Sequence, residues 1–391
     1  MQSLPVMGLI FLLLLAQSRI LPIFSFIHLP HHATQVSIPT PVRQRATNTA
    51  FLPLQKLPDS LDRESTTSDV LHNLYQTKQF APYVGPHGTA VVTGGTGGIG
   101  LPTIEALAKT GMKIVLCTKD PVQAERAIRN ISMRTYMDLN RIRIQYMDLS
   151  DLESVKRATE EIVRKEKRLD VILNCAAINS LPEKQLTAQN FEMQMGVNHI
   201  SHFYLTRKLL PIMSHEGRVV TVSSMSHSKA RTFEVEDLNS AQRRYSPFGN
   251  YCKSKLANIL FASGLQDKLI ESGSKVKSVS LHPGRVMTKR WSHTGEDVVS
   301  SVTDYILSRT PEQGAATVVY SCLVNSSQLD GGDYLMDCKS AIRSPLAQDE
   351  GGSLAFALWR NTEKLILNAG FEMPQDMVPR KVEAFSHAAI G

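Results

Sequence analysis

Cysteine is sparse and scattered in this chain: five in 391 residues, at positions 117, 175, 252, 322 and 338. No Cys-x-x-Cys pair and no Cys/His ligand spacing occurs, which argues against a zinc site, and the pattern offers no disulfide framework. Cys117 and Cys175 fall at the ends of expected strands, where a thiol packs as a small apolar group. Internal repeats are absent. So is any long basic tract, although the net charge is +7. The densest cationic cluster, Arg164-Lys-Glu-Lys-Arg168, is short, broken by Glu166, and flanked by Glu160, Glu161 and Asp170. It reads as a solvated helix end, so nucleic acid is not an expected partner; the excess charge suits an anionic small molecule.

No apolar run reaches the roughly 20 residues that a membrane-spanning helix needs. Val6 to Ala16 is an unbroken run of eleven, followed by Gln17-Ser-Arg19 and then by Ile20 to Ile27 with Pro22 and Ser25 inside it. Eleven residues suit the core of a signal peptide; counted through Ile27, the segment spans with one arginine as a defect. No Lys or Arg precedes it, and residues 28–58 hold no Asp or Glu. Residues 1–28 are therefore expected to be a signal or a membrane anchor, with an organelle-targeting leader or a soluble extension as alternatives. Residues 29–86 read as a linker with a short helix, capped near Ser68-Asp69 and bearing the apolar stripe Val70, Leu71, Leu74 and Tyr75. Residues 87–366 suit one domain, and 367–391 a tail with Pro374, Pro379 and no evident chemistry.

What is present is more pointed. Tyr251-Cys-Lys-Ser-Lys255 puts a tyrosine and a lysine on one helical face. A free phenol, with a pKa of about 10, is a poor acid or base at neutral pH. An adjacent ammonium stabilises the phenolate and brings it toward the working range. Alone, Tyr-x-x-x-Lys is common on solvated helices. Upstream, Thr93-Gly-Gly-Thr-Gly-Gly-Ile-Gly100 follows the β-prone run Ala90-Val-Val92 and precedes the helical pattern Ile104-Glu-Ala-Leu-Ala-Lys109. Strand, glycine loop and helix form the context of a dinucleotide fingerprint, in which backbone approaches a pyrophosphate held at the helix N-terminus.

Together these residues resemble the short-chain dehydrogenase/reductase family. The match continues in order through Asp148-Leu149 after a third strand and Asn174-Cys-Ala-Ala177 after a fourth. It then runs through Asn198-His-Ile-Ser-His-Phe-Tyr-Leu205, Arg218-Val-Val-Thr-Val-Ser-Ser224 and His282-Pro-Gly-Arg-Val-Met-Thr288. The resemblance implies a doubly wound, mostly parallel α/β sheet of the Rossmann type. It also implies Tyr251 as acid/base, Lys255 as its pKa-lowering partner and a ligand of the nicotinamide ribose, and Ser224 as the holder of the substrate oxygen. Asn198 would shape its helix and hold a proton-relaying water. Thr93, Gly94, Gly98, Ile99 and Gly100 would frame the pyrophosphate turn, Asp148 the adenine, Asn174 the ribose side, and Pro283, Gly284, Val286 and Thr288 the carboxamide end.

Ser254-Lys-Leu-Ala-Asn258, Thr310-Pro-Glu-Gln-Gly-Ala315 and Gly332-Asp-Tyr-Leu-Met-Asp-Cys-Lys339 resemble the retinol-dehydrogenase-like branch. That implies a small lipophilic alcohol or carbonyl as substrate, such as a retinoid or steroid, and association with the endoplasmic reticulum membrane; a luminal, secreted or organelle location is the alternative. Oligomeric state is left open. Two departures stand out: Cys175 and Ala177 replace the family's Asn and Gly, which tightens the fourth-strand turn. Glycines at both 97 and 98 also satisfy the spacing of nucleotide-sugar epimerases. Only about a hundred of the 391 residues follow His282-Pro-Gly284, which suits a substantial epimerase substrate domain poorly. A membrane-tethered binding or scaffold protein that keeps the fold without turnover is the other alternative; the intact Ser, Tyr, Lys and Asn argue against it. For the cofactor, NADP(H) is expected over NAD(H). The second strand runs into Thr118-Lys119, where an NAD enzyme carries an acidic residue, and Asp120-Pro121 reads as a helix cap.

Overall fold

The computed structural model describes residues 61–135, 138–242, 244–286 and 308–375. Eight strands form one sheet: β1 (Thr89–Thr93), β2 (Lys113–Thr118), β3 (Ile142–Tyr146), β4 (Leu169–Asn174), β5 (Met213–Val222), β6 (Lys277–His282), β7 (Tyr334–Met336) and β8 (Lys339–Ser340). Their spatial order is β3-β2-β1-β4-β5-β6-β7-β8. All neighbours pair parallel except the antiparallel β7 and β8. The order reverses between β1 and β4, the switch point where sheets of this kind open a crevice at the strands' C-terminal ends. The expected fold class is the one observed.

Helices cover both faces. They are α1 (Thr67–Thr77), α2 (Gly100–Lys109), α3 (Pro121–Thr135), α4 (Leu152–Lys165), the single turn α5 (Met193–Met195), α6 (Ser201–Leu209), α7 (Pro247–Glu271), α8 (Pro311–Leu323), the short α9 (Pro345–Gln348) and α10 (Ser353–Asn368). Strand side chains alternate between two cores. Ala90, Val92, Ile114 and Leu116 join the layer with Ile104, Leu107 and Val318, while Val91, Val115 and Cys117 join the layer with Phe203, Leu256 and Trp359. Burial on both faces explains why β1 reads as a continuous apolar run. On α4, Leu152, Val155, Ala158 and Ile162 are buried at helical spacing, and Asp151 caps the start by accepting the Glu153 N–H at 3.0 Å.

Local details differ from the sequence expectation. The cap of α1 is Thr66, not the Ser68-Asp69 pair: Thr66 and Asp69 exchange side-chain and backbone hydrogen bonds in a capping box. Of its stripe, Val70 and Leu74 are buried but Tyr75 is 73% exposed. Residues beyond the helix continue into the fold, because Phe80 bridges Val324 and the Tyr83 hydroxyl donates to Cys322 O at 2.6 Å. In the basic cluster the four cations are exposed, while Glu166 is buried and pairs with Lys113 at 2.8 Å and Arg143 at 3.0 Å. Past α10, Phe371 packs edge-on against Tyr204, and Arg207 donates to Pro374 O at 2.8 Å. Among the described residues no helix is long and apolar enough to cross a membrane; the expectation for residues 1–28 falls outside them.

Candidate active site

The glycine loop between β1 and α2 closes on itself. Gly94 has φ +72°, and a Cβ there would stand 2.6 Å from Ala176 Cα. A Cβ on Gly100 would stand 2.1 Å from Gly94 O. Gly98 also has a positive φ of 54°. Gly97 has open space around it and no such φ. Strain and contact therefore follow the 94-98-100 spacing, not the epimerase-like alternative. The loop feeds the N-terminus of α2, whose positive dipole end suits an anion, although Gly100 and Thr103 spend their N–H groups on Gly97 O and Ile99 O and Pro102 has none. Ile99 is the first cap residue of α2, and its Cγ2 would lie 2.9 Å from a Cβ on Gly314 of α8.

Thr93 braces this loop from behind. Its hydroxyl oxygen accepts the N–H groups of Cys175 and Ala176 at 3.0 and 3.1 Å and lies 2.9 Å from His202 Nε2. The other ring nitrogen of His202 stands 3.1 Å from Asn198 O, which can only accept. His202 thus carries its proton on Nδ1, and Thr93 donates to Nε2. Sequence reasoning passed over His202; its signal was the i,i+4 spacing from Asn198. Thr93 is 1% exposed, so its hydroxyl braces the loop from within the fold.

Asn198 sits in a π-helical turn, Gly196–Ile200, between α5 and α6. Such bulges are frequent at functional sites. Its Oδ1 accepts the Ile178 N–H at 2.7 Å, and its Nδ2 donates to Ile178 O and to Ser254 Oγ, each at 2.9 Å. Asn198 thereby ties the segment after β4 to α7. Ser224 follows β5, caps a 3₁₀ turn over Met225–Lys229, and accepts the Ser226 N–H at 3.1 Å. That turn packs against α7.

Tyr251 and Lys255 lie on α7, whose cap is Ser246 with Pro247 in the first turn. The Lys255 ammonium stands 5.8 Å from the Tyr251 ring centre. Lys255 is 2% exposed and donates to Val222 O at 3.0 Å. Burial brings its pKa down from 10.5 to about 8. Asn258 also donates to Val222 O, at 3.1 Å, and the Ser223 hydroxyl donates to Lys255 O at 2.6 Å. These bonds stitch α7 to the end of β5, so the strand that presents Ser224 and the helix that presents Tyr251 form one unit.

The remaining expected residues divide into two groups. Lys119 is exposed just beyond β2, whose Cys117 is in register with Thr93, so it emerges beside the glycine loop. Asp120 caps α3 by accepting the Gln123 N–H at 2.9 Å, as Asp-Pro at a helix start predicts. Asp148 accepts from the Ser150 N–H and hydroxyl at 2.9 and 2.7 Å, a turn past β3 at the same end of the sheet. Pro283, Gly284 (φ +86°) and Val286 follow β6, and Val286 bridges Arg309. Asn174 is 1% exposed, and its Nδ2 donates to Thr206 and Thr221 hydroxyls at 3.0 and 3.4 Å. Its side-chain amide therefore knits β4 to β5 and α6 at the strand end where the ribose side is expected. Thr288 lies outside the described residues. No cluster of three or more metal-ligating side chains occurs among the described residues.

The architecture is that of a dinucleotide-binding α/β domain with a Ser, Tyr, Lys and Asn set at the carboxyl end of its sheet. Comparison with known proteins sharpens the class. The sequence profile of the short chain dehydrogenase family matches residues 88–298. Human retinol dehydrogenase 13 is 33% identical over 297 residues, 74% of this chain and 86% of its own. Human polyprenol dehydrogenase is 33% identical over 262 residues, 65% of this chain and 78% of its own. Among solved structures, an uncharacterised protein from Mycobacterium Paratuberculosis aligns with a TM-score of 0.60 at 32% identity, covering 80% of this chain and 99% of its own. The L-sorbose reductase of Gluconobacter frateurii, solved with NADPH and L-sorbose, aligns at 0.50 and 21% identity over 66% of this chain and 98% of its own, a likeness of fold alone. The chain belongs to the short-chain dehydrogenase/reductase family, in its retinol-dehydrogenase-like branch, and is an oxidoreductase of the alcohol/carbonyl kind on an NAD(P)-binding fold.

Proposed function

We propose that this protein interconverts an alcohol and a carbonyl on a small lipophilic molecule, with NADP(H) preferred over NAD(H). The observation that carries the reading is Lys255, an ammonium buried against Val222 O and held 5.8 Å from the Tyr251 ring. A buried cation with no carboxylate partner among the described residues is costly, and its evident use is to support a phenolate. Tyr251 gives its proton to the carbonyl oxygen in reduction and takes the hydroxyl proton in oxidation. Ser224 donates to the same oxygen and stabilises the charge that develops there. Asn198 holds the π-turn in place and orders a water toward Lys255. When bound, the nicotinamide supplies or accepts the hydride. The loop from Gly94 to Gly100 would hold a pyrophosphate, because its glycines let the chain fold tightly against Ala176 and itself between β1 and α2; Lys119 offers a positive point charge to a 2′-phosphate.

The lipophilic substrate class is supported by relatives named retinol and polyprenol dehydrogenases. Residues 225–242, which follow Ser224, would line part of its pocket; the other expected lining segment, 285–310, lies mostly outside the described residues. A screen of purified protein with NADPH and NADH across retinoid, steroid and long-chain carbonyls, followed by absorbance, tests the reading. Turnover of none of these classes with either cofactor contradicts it and favours a non-catalytic binding protein. Residues 1–28 are proposed to tether the protein to a membrane, on the strength of the Val6–Ala16 run. Deleting them should move the protein from the pelleted membranes to the supernatant; a mature chain that already begins after residue 28 refutes the anchor and supports a cleaved signal.

A further inference from the structure

The peptide group joining Ser224 to Met225 is held on both of its polar sides by imidazoles. Its carbonyl oxygen lies 2.7 Å from His227 Nδ1 and also accepts the His227 backbone N–H at 3.0 Å. Its N–H donates to His282 Nδ1 at 3.2 Å. These contacts fix both tautomers. A carbonyl only accepts, so His227 carries its proton on Nδ1; its Nε2 accepts the Ser344 N–H at 3.2 Å. His282 accepts at Nδ1, so its proton sits on Nε2. The two rings are 3% and 5% exposed. Tyr334 of β7 packs edge-on against His227 at 5.1 Å and 69°.

We propose that His227 and His282 are positioning residues that clamp the Ser224–Met225 peptide and thereby aim the Ser224 hydroxyl at the substrate oxygen. The proposal rests on the reading of Ser224 as the oxygen-binding serine. The need for a clamp is local. Ser224 leaves β5 in an extended conformation (φ −159°, ψ 151°) and enters a single 3₁₀ turn, whose hydrogen-bond geometry is weak. Without outside support, rotation of this peptide would swing the side chain. β6 supplies His282, and the chain ahead of α9 supplies the Ser344 N–H, so two later segments fix the serine. Burial keeps both rings neutral, as the clamp requires. It takes His282 down to about 4, with the Arg309 guanidinium adding to the effect and Asp337 opposing it, and it lowers His227 as well.

The test is a double-mutant cycle with the best carbonyl from the screen above and NADPH. His282→Leu should lower kcat about 10- to 100-fold, the cost of a slightly misaimed group, while NADPH affinity by fluorescence titration stays within about twofold. His282→Asn puts an amide oxygen near the place of Nδ1 and should recover kcat to within about threefold of the parent protein. In a Ser224→Ala background, His282→Leu should cost less than about twofold more, because its route of action is gone. His227→Leu gives the same cycle from the carbonyl side should His282→Leu fail to fold. Native kcat in both leucine variants overturns the clamp. So does an equal loss in the Ser224→Ala background, or no recovery with asparagine. Native kcat in Ser224→Ala itself overturns the reading of the site on which the clamp rests.

Discussion

Lys255→Met separates the stability of this fold from its chemistry. The ammonium is almost fully enclosed, and burial draws its pKa from 10.5 to about 8. A depressed lysine pKa means that the folded state pays to keep the charge wherever the group is protonated. The drop corresponds to about 3 kcal/mol at pH values below the folded pKa. Replacement removes one hydrogen bond to Val222 O, a loss of about 1 kcal/mol, but Asn258 still donates to that oxygen. Methionine fills a similar volume. The net expectation at pH 7 is a variant more stable by about 1–2 kcal/mol, a rise in Tm of a few degrees for a domain of this size. The advantage should shrink between pH 8 and 10.5, because there the folded parent protein has released the proton that its unfolded chain still binds, and the parent gains stability with pH. Thermal unfolding of the ligand-free proteins at pH 7, 8, 9 and 10, alongside turnover, reads both effects. Turnover should fall at least about a hundredfold, in the range of lost acid/base assistance. A variant destabilised by more than about 2 kcal/mol at pH 7, or a gap that does not narrow with pH, would refute the reasoning.

The glycine loop gives a paired prediction. Gly94→Ala forces a Cβ against Ala176 at a positive φ and should cost about 3 kcal/mol in denaturant unfolding along with much of the NADPH affinity, whereas Gly97→Ala should be close to neutral in both. Equal tolerance at the two positions would mean the loop is misassigned. Lys119→Asp should erase or reverse the preference for NADPH, a change of roughly 10- to 100-fold in the ratio of kcat/KM values, equivalent to about 1.5–3 kcal/mol for one charge-assisted contact. Equal kcat/KM for NADPH and NADH in the unaltered protein would show that Lys119 sets no preference.

Much of this site was legible because its signals are local. The i,i+4 relation of Tyr251 and Lys255 and the strand–glycine–helix order around Thr93 to Gly100 need only the period of a helix and the conformational demands of a turn. Asp120 was readable as a cap because Asp-Pro at a helix start has one economical use. What the sequence hid is where polar strand-end side chains point once both faces of the sheet are covered. Thr93 and Asn174 both turn inward, and the partners that hold them, His202 and Thr206, lie on α6, far along the chain. The same non-locality hid Glu166, whose partners stand on β2 and β3. At α1, Thr66 and Ser68 are both capping types; Asp69 decides between them because it stands three residues after Thr66, where a capping box closes. His282 stood out only as the first residue of the motif after β6, and nothing in the sequence signalled that it and His227 hold a backbone group.

The most direct measurement is single-turnover hydride transfer by Tyr251→Phe, with NADPH binding recorded on the same sample. The substitution removes one transferable proton and leaves the ring that faces Lys255. The account predicts that NADPH binds within about threefold of the parent affinity while hydride transfer falls by at least about a thousandfold, the scale of a lost general acid. Hydride transfer at the parent rate in Tyr251→Phe would contradict it.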